Sequence, residues 1–291
     1  MRKIQLNDLL KNNQLNSKCI TETAIIYSLP NNKIFKMFNS NYLTMFKIVG
    51  INIEKKLLTA DTMNLPKEII KPEVLVYNGS EIIGYVMPKA KGLNYNTRDN
   101  NLTMFERSNL FQYADLHFGL EKIIRSTPDI VYPDLCTCEN IYISDKNIHL
   151  IDYDGFQIAQ HNTLDISSSL GNQAQYFNTS KYITKDLLFT KELDKKSLII
   201  LYFLATFNID LNRVGTIINP ITNQPFTLEE VLSYIGLDDY DIMNKVWKIF
   251  QNNKENEWLG EDVYRLAYEY ELQLISGPLS DGSYLKKLIK K

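Results

Sequence analysis

Strand-forming runs crowd into the first third of this 291-residue chain, and helix-forming runs fill most of the rest. Strands and helices that are segregated rather than alternating cannot build a parallel sheet wrapped in crossover helices; they point to an α+β fold. "AIIYSL" (Ala24 to Leu29) and "KIFKMF" (Lys33 to Phe38) flank the turn cluster Pro30-Asn31-Asn32, a hairpin signal. "EVLVY" (Glu73 to Tyr77) and "EIIGYVM" (Glu81 to Met87) flank Asn78-Gly79, the strongest short hairpin signal. Between the hairpins, Phe46, Val49, Ile53 and Leu57 recur at helical spacing, and Leu65-Pro66 ends that helix. "PKAKG" (Pro88 to Gly92) is a connector.

Beyond the connector the pattern is mainly helical. Phe105 to Ser126 carries Phe111, Ala114 and Phe118 on one stripe. Two short strands interrupt, "NIYIS" and "NIHLIDY", joined at Asp145-Lys146. Asp194 to Phe207 is apolar nearly all round, which predicts a buried central helix. Thr227 followed by Glu230 predicts a capping box, and further helices are expected near 241–251 and 261–276. The division expected is a small β-rich lobe over residues 1–88 and a larger helical lobe over 89–291, with a hinge at about 88–92.

Composition excludes several classes. A formal net charge of -2 gives no footprint for nucleic acid or a membrane surface. The basic start "MRKIQLNDLLKNNQ" lacks an apolar core for a signal peptide, and "LIILYFLATF" is too short to span a bilayer. Three cysteines make no disulfide framework, so the expectation is a cytoplasmic protein. Cys136 and Cys138 have no neighbouring Cys/His cluster and are not read as a zinc site.

The stretch "VYPDLCTCENIYISDKNIHLIDYDGF" carries the candidate chemistry. Asp152 lies between Ile151 and Tyr153, where a carboxylate costs free energy unless paired or metal-bound. Asp134 and Asn140 precede the apolar run "IYIS". An amide oxygen and a carboxylate at the mouth of a strand pair suit Mg²⁺, a hard cation that brings phosphates with it. A separate upstream carboxylate can orient or deprotonate a nucleophile.

The ordered set of these residues resembles the protein-kinase-like superfamily over about residues 20–270. "IFKMF" looks like the strand that supplies the phosphate-contacting lysine, here Lys36, and Glu54 falls where its helix partner is expected. "GYVMPKAKG", with Met87 and Lys89, is similar to the strand and hinge that hold the adenine. "YPDLCTCEN" resembles the catalytic loop, with Asp134 as catalytic aspartate and Asn140 as metal ligand. "LIDYDGF" resembles the metal-binding loop, with Asp152 as the magnesium aspartate and Asp154 where the usual motif has glycine. Asp194 matches the aspartate that ties the buried helix to the catalytic loop. There are departures: "SKCITETAIIY" (Ser17 to Tyr27) has no glycine in place of the phosphate loop, Tyr132-Pro133 replaces His-Arg, and Asn140 comes one residue late.

The resemblance implies a two-lobed protein-kinase-like fold and an ATP- and Mg²⁺-dependent phosphotransferase. Its acceptor would be a Ser/Thr hydroxyl of a protein, or else a small-molecule hydroxyl, with residues 156–182 facing it. The alternatives are a pseudokinase acting through nucleotide or partner binding, and a nucleotidyl transferase. Neither nucleic acid nor membrane is expected as a partner, and oligomeric state is open.

Overall fold

The computed structural model describes residues 1–13, 15–94, 107–135, 139–144, 147–161 and 188–207, with the isolated positions 222–224, 227, 230, 258 and 268. The helix expected at 241–251, most of that at 261–276, Cys136, Cys138, the turn 145–146 and positions 162–182 lie outside the described residues. The described residues make a mixed α+β structure with five helices and a six-stranded sheet. No helix among them is long and apolar enough to cross a membrane.

The six-stranded sheet runs β1-β5-β6-β4-β3-β2. Its strands are β1 (Arg2–Gln5), β2 (Asn16–Ile20), β3 (Ala24–Leu29), β4 (Lys33–Phe38), β5 (Val74–Asn78) and β6 (Glu81–Pro88). The β3/β4 hairpin has the predicted bounds, and its loop works because Asn31 and Asn32 both adopt positive φ, 59° and 54°. Asparagine tolerates that conformation better than other residues with a Cβ. The β5/β6 hairpin pairs Asn78 with Glu81, so its two-residue loop is Gly79-Ser80, one step later than the Asn-Gly signal suggested. β1 joins the edge in parallel to β5, a pairing no local pattern in "RKIQ" announces.

Alternation on β4 separates two cores. Phe35 packs with Leu9, Val76 and Val86 on one face, where α1 (Leu6–Asn12) lies. Ile34 and Phe38 face the other core, with Tyr42, Phe46, Leu57, Leu75 and Tyr85. A strand places successive side chains on opposite faces, so Lys36 shares the face of Phe38.

The helix expected across Phe46 to Leu57 is two helices, α2 (Ser40–Ile48) and α3 (Ile53–Asp61). Gly50 takes φ 75°, and the Ile51 N–H reaches back to the Phe46 carbonyl at 2.8 Å, the closing bond of a glycine-terminated helix. Asn52 then caps α3 by accepting from the Lys55 N–H at 2.9 Å. A continuous apolar phase hid a break that glycine chemistry made.

A connector from β6 reaches β7 (Leu93–Asn94), the edge of a three-stranded sheet with β9 (Ile141–Ser144) and β10 (Asn147–Leu150). A Cβ on Gly92 would stand 2.1 Å from the Ile143 carbonyl oxygen, so only glycine fits that crossing. A second attachment runs through residues after α3: Ile70 N–H donates to the Leu150 carbonyl and Leu150 N–H to the Glu68 carbonyl, both at 2.9 Å. β8 (Ile130–Val131) pairs with β11 (Gln157–Ile158).

Below these lie α4 (Arg107–Arg125) and α5 (Glu192–Phe207). α5 is buried as its all-round apolarity predicts, with Leu193 and Leu198 to Tyr202 all enclosed. On α4 the buried stripe is Leu116, Leu120, Ile123 and Ile124 with Ala114, while Phe118 is 43% exposed and does not belong to it. Thr227 and Glu230 make both bonds of the predicted capping box, at 3.1 and 2.8 Å.

His117 on α4 is enclosed, its ring packed edge-on to Tyr202 with centroids 5.6 Å apart. Glu121 stands 3.8 Å from its Nε2, too far for a hydrogen bond, and burial pulls the imidazole from its ordinary 6.5 down to about 4. The unfolded chain therefore takes up a proton near pH 6.5 that the folded chain refuses until about pH 4. Stability from this group is present above that window and is lost as pH falls through it, by about 3 kcal/mol in all. Urea unfolding of His117→Gln against wild type between pH 7 and 4.5 should show the shallower pH dependence in the variant; identical slopes refute the assignment.

Candidate functional site

The site begins on the sheet. Lys36 is 4% exposed, on the strand face that otherwise carries core side chains. β6 passes close beside it because residue 84 is glycine: a Cβ there would lie 2.1 Å from the Lys36 carbonyl oxygen. An ammonium at such a place needs compensating charge.

The compensation comes from the segment that leaves β10, more than a hundred residues away along the chain. Lys36 Nζ pairs with Asp152 and, at 2.8 and 3.0 Å, with both carboxylate oxygens of Asp154. Asp152 sits at φ 70°, and the Gly155 N–H closes a turn onto its carbonyl at 2.9 Å. That turn brings two carboxylates, two residues apart, to a single lysine. Asp154 also accepts from Tyr42 O–H at 3.1 Å and from Tyr85 O–H. From α3, Lys56, fully buried, donates to the Asp154 carbonyl at 2.6 Å.

Two cations and two anions thus stand together, all closed off from solvent except the partly exposed Asp152. Burial alone would push the Lys36 ammonium down; the carboxylates of Asp152 and Asp154 outweigh it and hold it above its ordinary value. Burial pushes the Asp152 carboxyl up, Lys36 pulls against it, Asp154 adds to it, and the result lies above the ordinary range. Asp154 feels the same burial, but Lys36, Tyr85 and Lys56 more than offset it and hold it below. Of the two carboxylates, Asp152 is the one that takes a proton first.

Asp134 and Asn140 stand in the adjoining loop. Together with Tyr132, Leu135, Leu150, Gly155 and Phe156 they line a small recess. Asn140 is tied to the Asp152 segment through its carbonyl, which accepts from the Ile151 N–H at 3.0 Å. The loop is anchored from α5: Asp194, fully buried, accepts from the Tyr132 N–H at 2.7 Å and pairs with Lys191 at 2.8 Å. Burial pushes the Asp194 carboxyl above its ordinary range even with Lys191 beside it.

The predicted residues therefore fall into groups. Lys36 and Asp152 meet directly, Asp134 and Asn140 share the recess, and Asp152 is not among that recess's walls. Glu54 is not brought to Lys36: its carboxylate takes Lys3 at 2.6 Å at the surface, because Glu54 points away from the α3 face that buries Ile53, Lys56, Leu57 and Ala60. Met87 is 3% exposed and part of the core, whereas Lys89 is exposed and donates its N–H to the Asn32 carbonyl at 2.8 Å. The glycine-free loop before β3 is held down by Asn39, whose side chain donates to the carbonyls of Thr21 and Glu22 at 3.2 and 2.9 Å. Sequence reasoning left Asp154 between a second metal ligand and a turn residue, and missed Tyr42, Tyr85 and Lys56. The signal for Lys56 was there: it lies on the i, i+3, i+4, i+7 stripe of Ile53, Leu57 and Ala60, where a lysine needs a partner.

Removing Lys56 leaves the cluster one positive charge short. Lys56→Met should lower stability at neutral pH by about 3–5 kcal/mol, the range for orphaning a buried charge. The deficit raises the folded affinity of Asp152 for a proton, so the folded state binds more protons than the unfolded one and stability recovers as pH falls. Denaturation of the variant at pH 8 and pH 5 reads this directly; a stability loss that grows toward pH 5 contradicts the charge balance drawn here.

No family model and no curated protein matches this chain. What the site does has to be read from its own residues.

Proposed function

We propose that this protein is an ATP-dependent phosphotransferase of the protein-kinase-like class, acting on a hydroxyl, with a protein Ser/Thr as the favoured acceptor. One observation carries the reading. A lysine on a central strand of the six-stranded sheet, beside a helix, converges on the aspartate that follows a distant hairpin, and the segment leading into that hairpin presents a second aspartate and an asparagine. The sheet with its helices would form the nucleotide lobe over residues 1–88, and the remainder the acceptor lobe over 89–291, with Met87 and Lys89 at the hinge.

The donor set fits Mg²⁺. Asp152 and Asn140 offer hard oxygen atoms, and the side chain of Asp152 is 23% exposed where that of Asp154 is closed off. Bound there by Asp152 and Asn140, the ion would neutralise phosphate charge as the phosphoryl group moves. Lys36, drawn off Asp152, supplies an ammonium for the α/β-phosphates. Asp134, in the recess beside Asn140, orients the acceptor hydroxyl and accepts its proton. Asp194 keeps the loop of Asp134 in place through the Tyr132 N–H.

A second reading, a pseudokinase that binds a partner, is favoured by one feature: the Thr21-to-Thr23 turn is tied to Asn39 and has no glycine to approach phosphates. Parallel incubation with γ- and α-labelled ATP separates the readings. Label transferred from γ supports the phosphotransferase, label only from α a nucleotidyl transferase, and neither a pseudokinase. In single-turnover reactions at saturating ATP, Asp134→Asn should lower transfer by roughly 10²–10⁴ while ATP affinity stays within a few-fold, the signature of a lost acid-base group. Lys36→Met should remove most of the thermal stabilisation by Mg·ATP. Equal transfer rates in wild type and Asp134→Asn take Asp134 out of the chemistry.

A further inference from the structure

We propose that Asp154 is the positioning residue for Lys36, doing from the loop after β10 what a carboxylate on α3 was expected to do. For what Lys36 does, this rests on the phosphotransferase reading; for what holds Lys36, it stands on the geometry alone. α3 does reach the cluster, but with the opposite charge. It sends Lys56 to the Asp154 carbonyl, while its own glutamate, Glu54, pairs with Lys3 outside.

The two aspartates have different jobs because their oxygens are differently occupied. A carboxylate offers about four lone-pair positions. On Asp154, Lys36 and Tyr85 contact Oδ1, and Lys36 and Tyr42 contact Oδ2. Those contacts fill the group, and at 0% exposure nothing more can reach it. Asp154 therefore has no room for a cation and is a fixed anchor. Asp152 is partly exposed and meets Lys36 through one oxygen. It is the partner that can be exchanged.

The exchange explains why two carboxylates are needed. When a divalent cation draws Asp152 away, Lys36 does not become an unpaired buried charge, which would be strongly unfavourable. It stays paired with Asp154, its position fixed and its charge turned to the phosphates. The two tyrosine hydroxyls hold the anchor: they donate to Asp154 without adding charge, so the ion balance of the cluster is unchanged.

Two measurements on the full chain test this. The first needs no nucleotide: acetylation of Lys36 by a water-soluble succinimidyl ester at fixed pH, followed by peptide mass spectrometry. Lys36 should react more slowly than the exposed Lys89 in wild type, and about tenfold faster in Asp154→Asn, where a charged hydrogen-bond partner is lost. Glu54→Gln should leave Lys36 labelling as it is in wild type. If Asp154→Asn does not fold, Tyr42→Phe/Tyr85→Phe, which leaves the carboxylate and removes its neutral donors, should speed labelling in the same direction. Unchanged labelling in these variants, or an equal rise in Glu54→Gln, overturns the proposal. The second measurement compares adenosine, ADP and ATP by calorimetry. Asp154→Asn should weaken the two phosphate-bearing ligands about tenfold and leave adenosine within about twofold. An equal loss for adenosine indicates a merely structural residue and overturns the positioning role. No binding of any of the three to wild type overturns the phosphotransferase reading, and the labelling result then decides alone what holds Lys36.

Discussion

A lysine ammonium enclosed between a sheet and a loop cannot stay charged without an anion held against it, and that constraint organises this protein. Lys36 is enclosed because β4 lies in the middle of a six-stranded sheet and its neighbour β6 comes close at Gly84. The anions arrive from the turn after β10, and that turn needs Asp152 in a left-handed conformation to present two carboxylates at once. Aspartate is among the few residues besides glycine that accept such a backbone, so the same residue type serves geometry and charge. Tyr42 from α2, Tyr85 from β6 and Lys56 from α3 then complete the cluster. Each of these elements contributes one polar group, and the two lysines have no reason to be buried except their partners.

Much of this architecture was legible where local chemistry decides structure. The β3/β4 hairpin, the buried α5 and the capping box at Thr227 follow from patterns a few residues long, while the link from Asp194 to the Tyr132 N–H was expected only from the resemblance. Asp152 stood out because an acid between isoleucine and tyrosine demands an explanation. What escaped was decided by geometry at a distance. β1 joins by a parallel pairing with β5 across some seventy residues, which no local periodicity encodes. Glu54 and Lys56 show how sensitive a helix is to phase. Two residues correspond to about 200° of rotation, so a choice that looks interchangeable along the chain exchanges solvent for core. The apolar stripe of α3 would have resolved it, because Lys56 lies on the stripe and Glu54 does not.

The contrast between the two acids comes from their hydrogen-bond donors, since burial pushes both the same way. Asp152 and Asp154 share a lysine and are two residues apart, yet the carboxyl of one is pushed up and that of the other held down. Lys36 and Lys56 favour the ionised form of both; the tyrosine hydroxyls favour it at Asp154 alone, and the Asp154 charge then pushes Asp152 up. A site with two such acids can lose one to another ligand and remain electrically paired.

The two attachments between the sheets have a mechanical consequence. The six-stranded sheet joins the three-stranded one through the connector to β7, at Gly92, and again where residues 68–70 bond to Leu150 on β10. The ion cluster and the hydrogen bond between Thr59 and His161 join the same parts again. Leu150 lies two residues before Asp152, so the second attachment sits beside the ion cluster. A change in spacing between residues 68–70 and Leu150 therefore reaches the Asp152 carboxylate through two residues of chain.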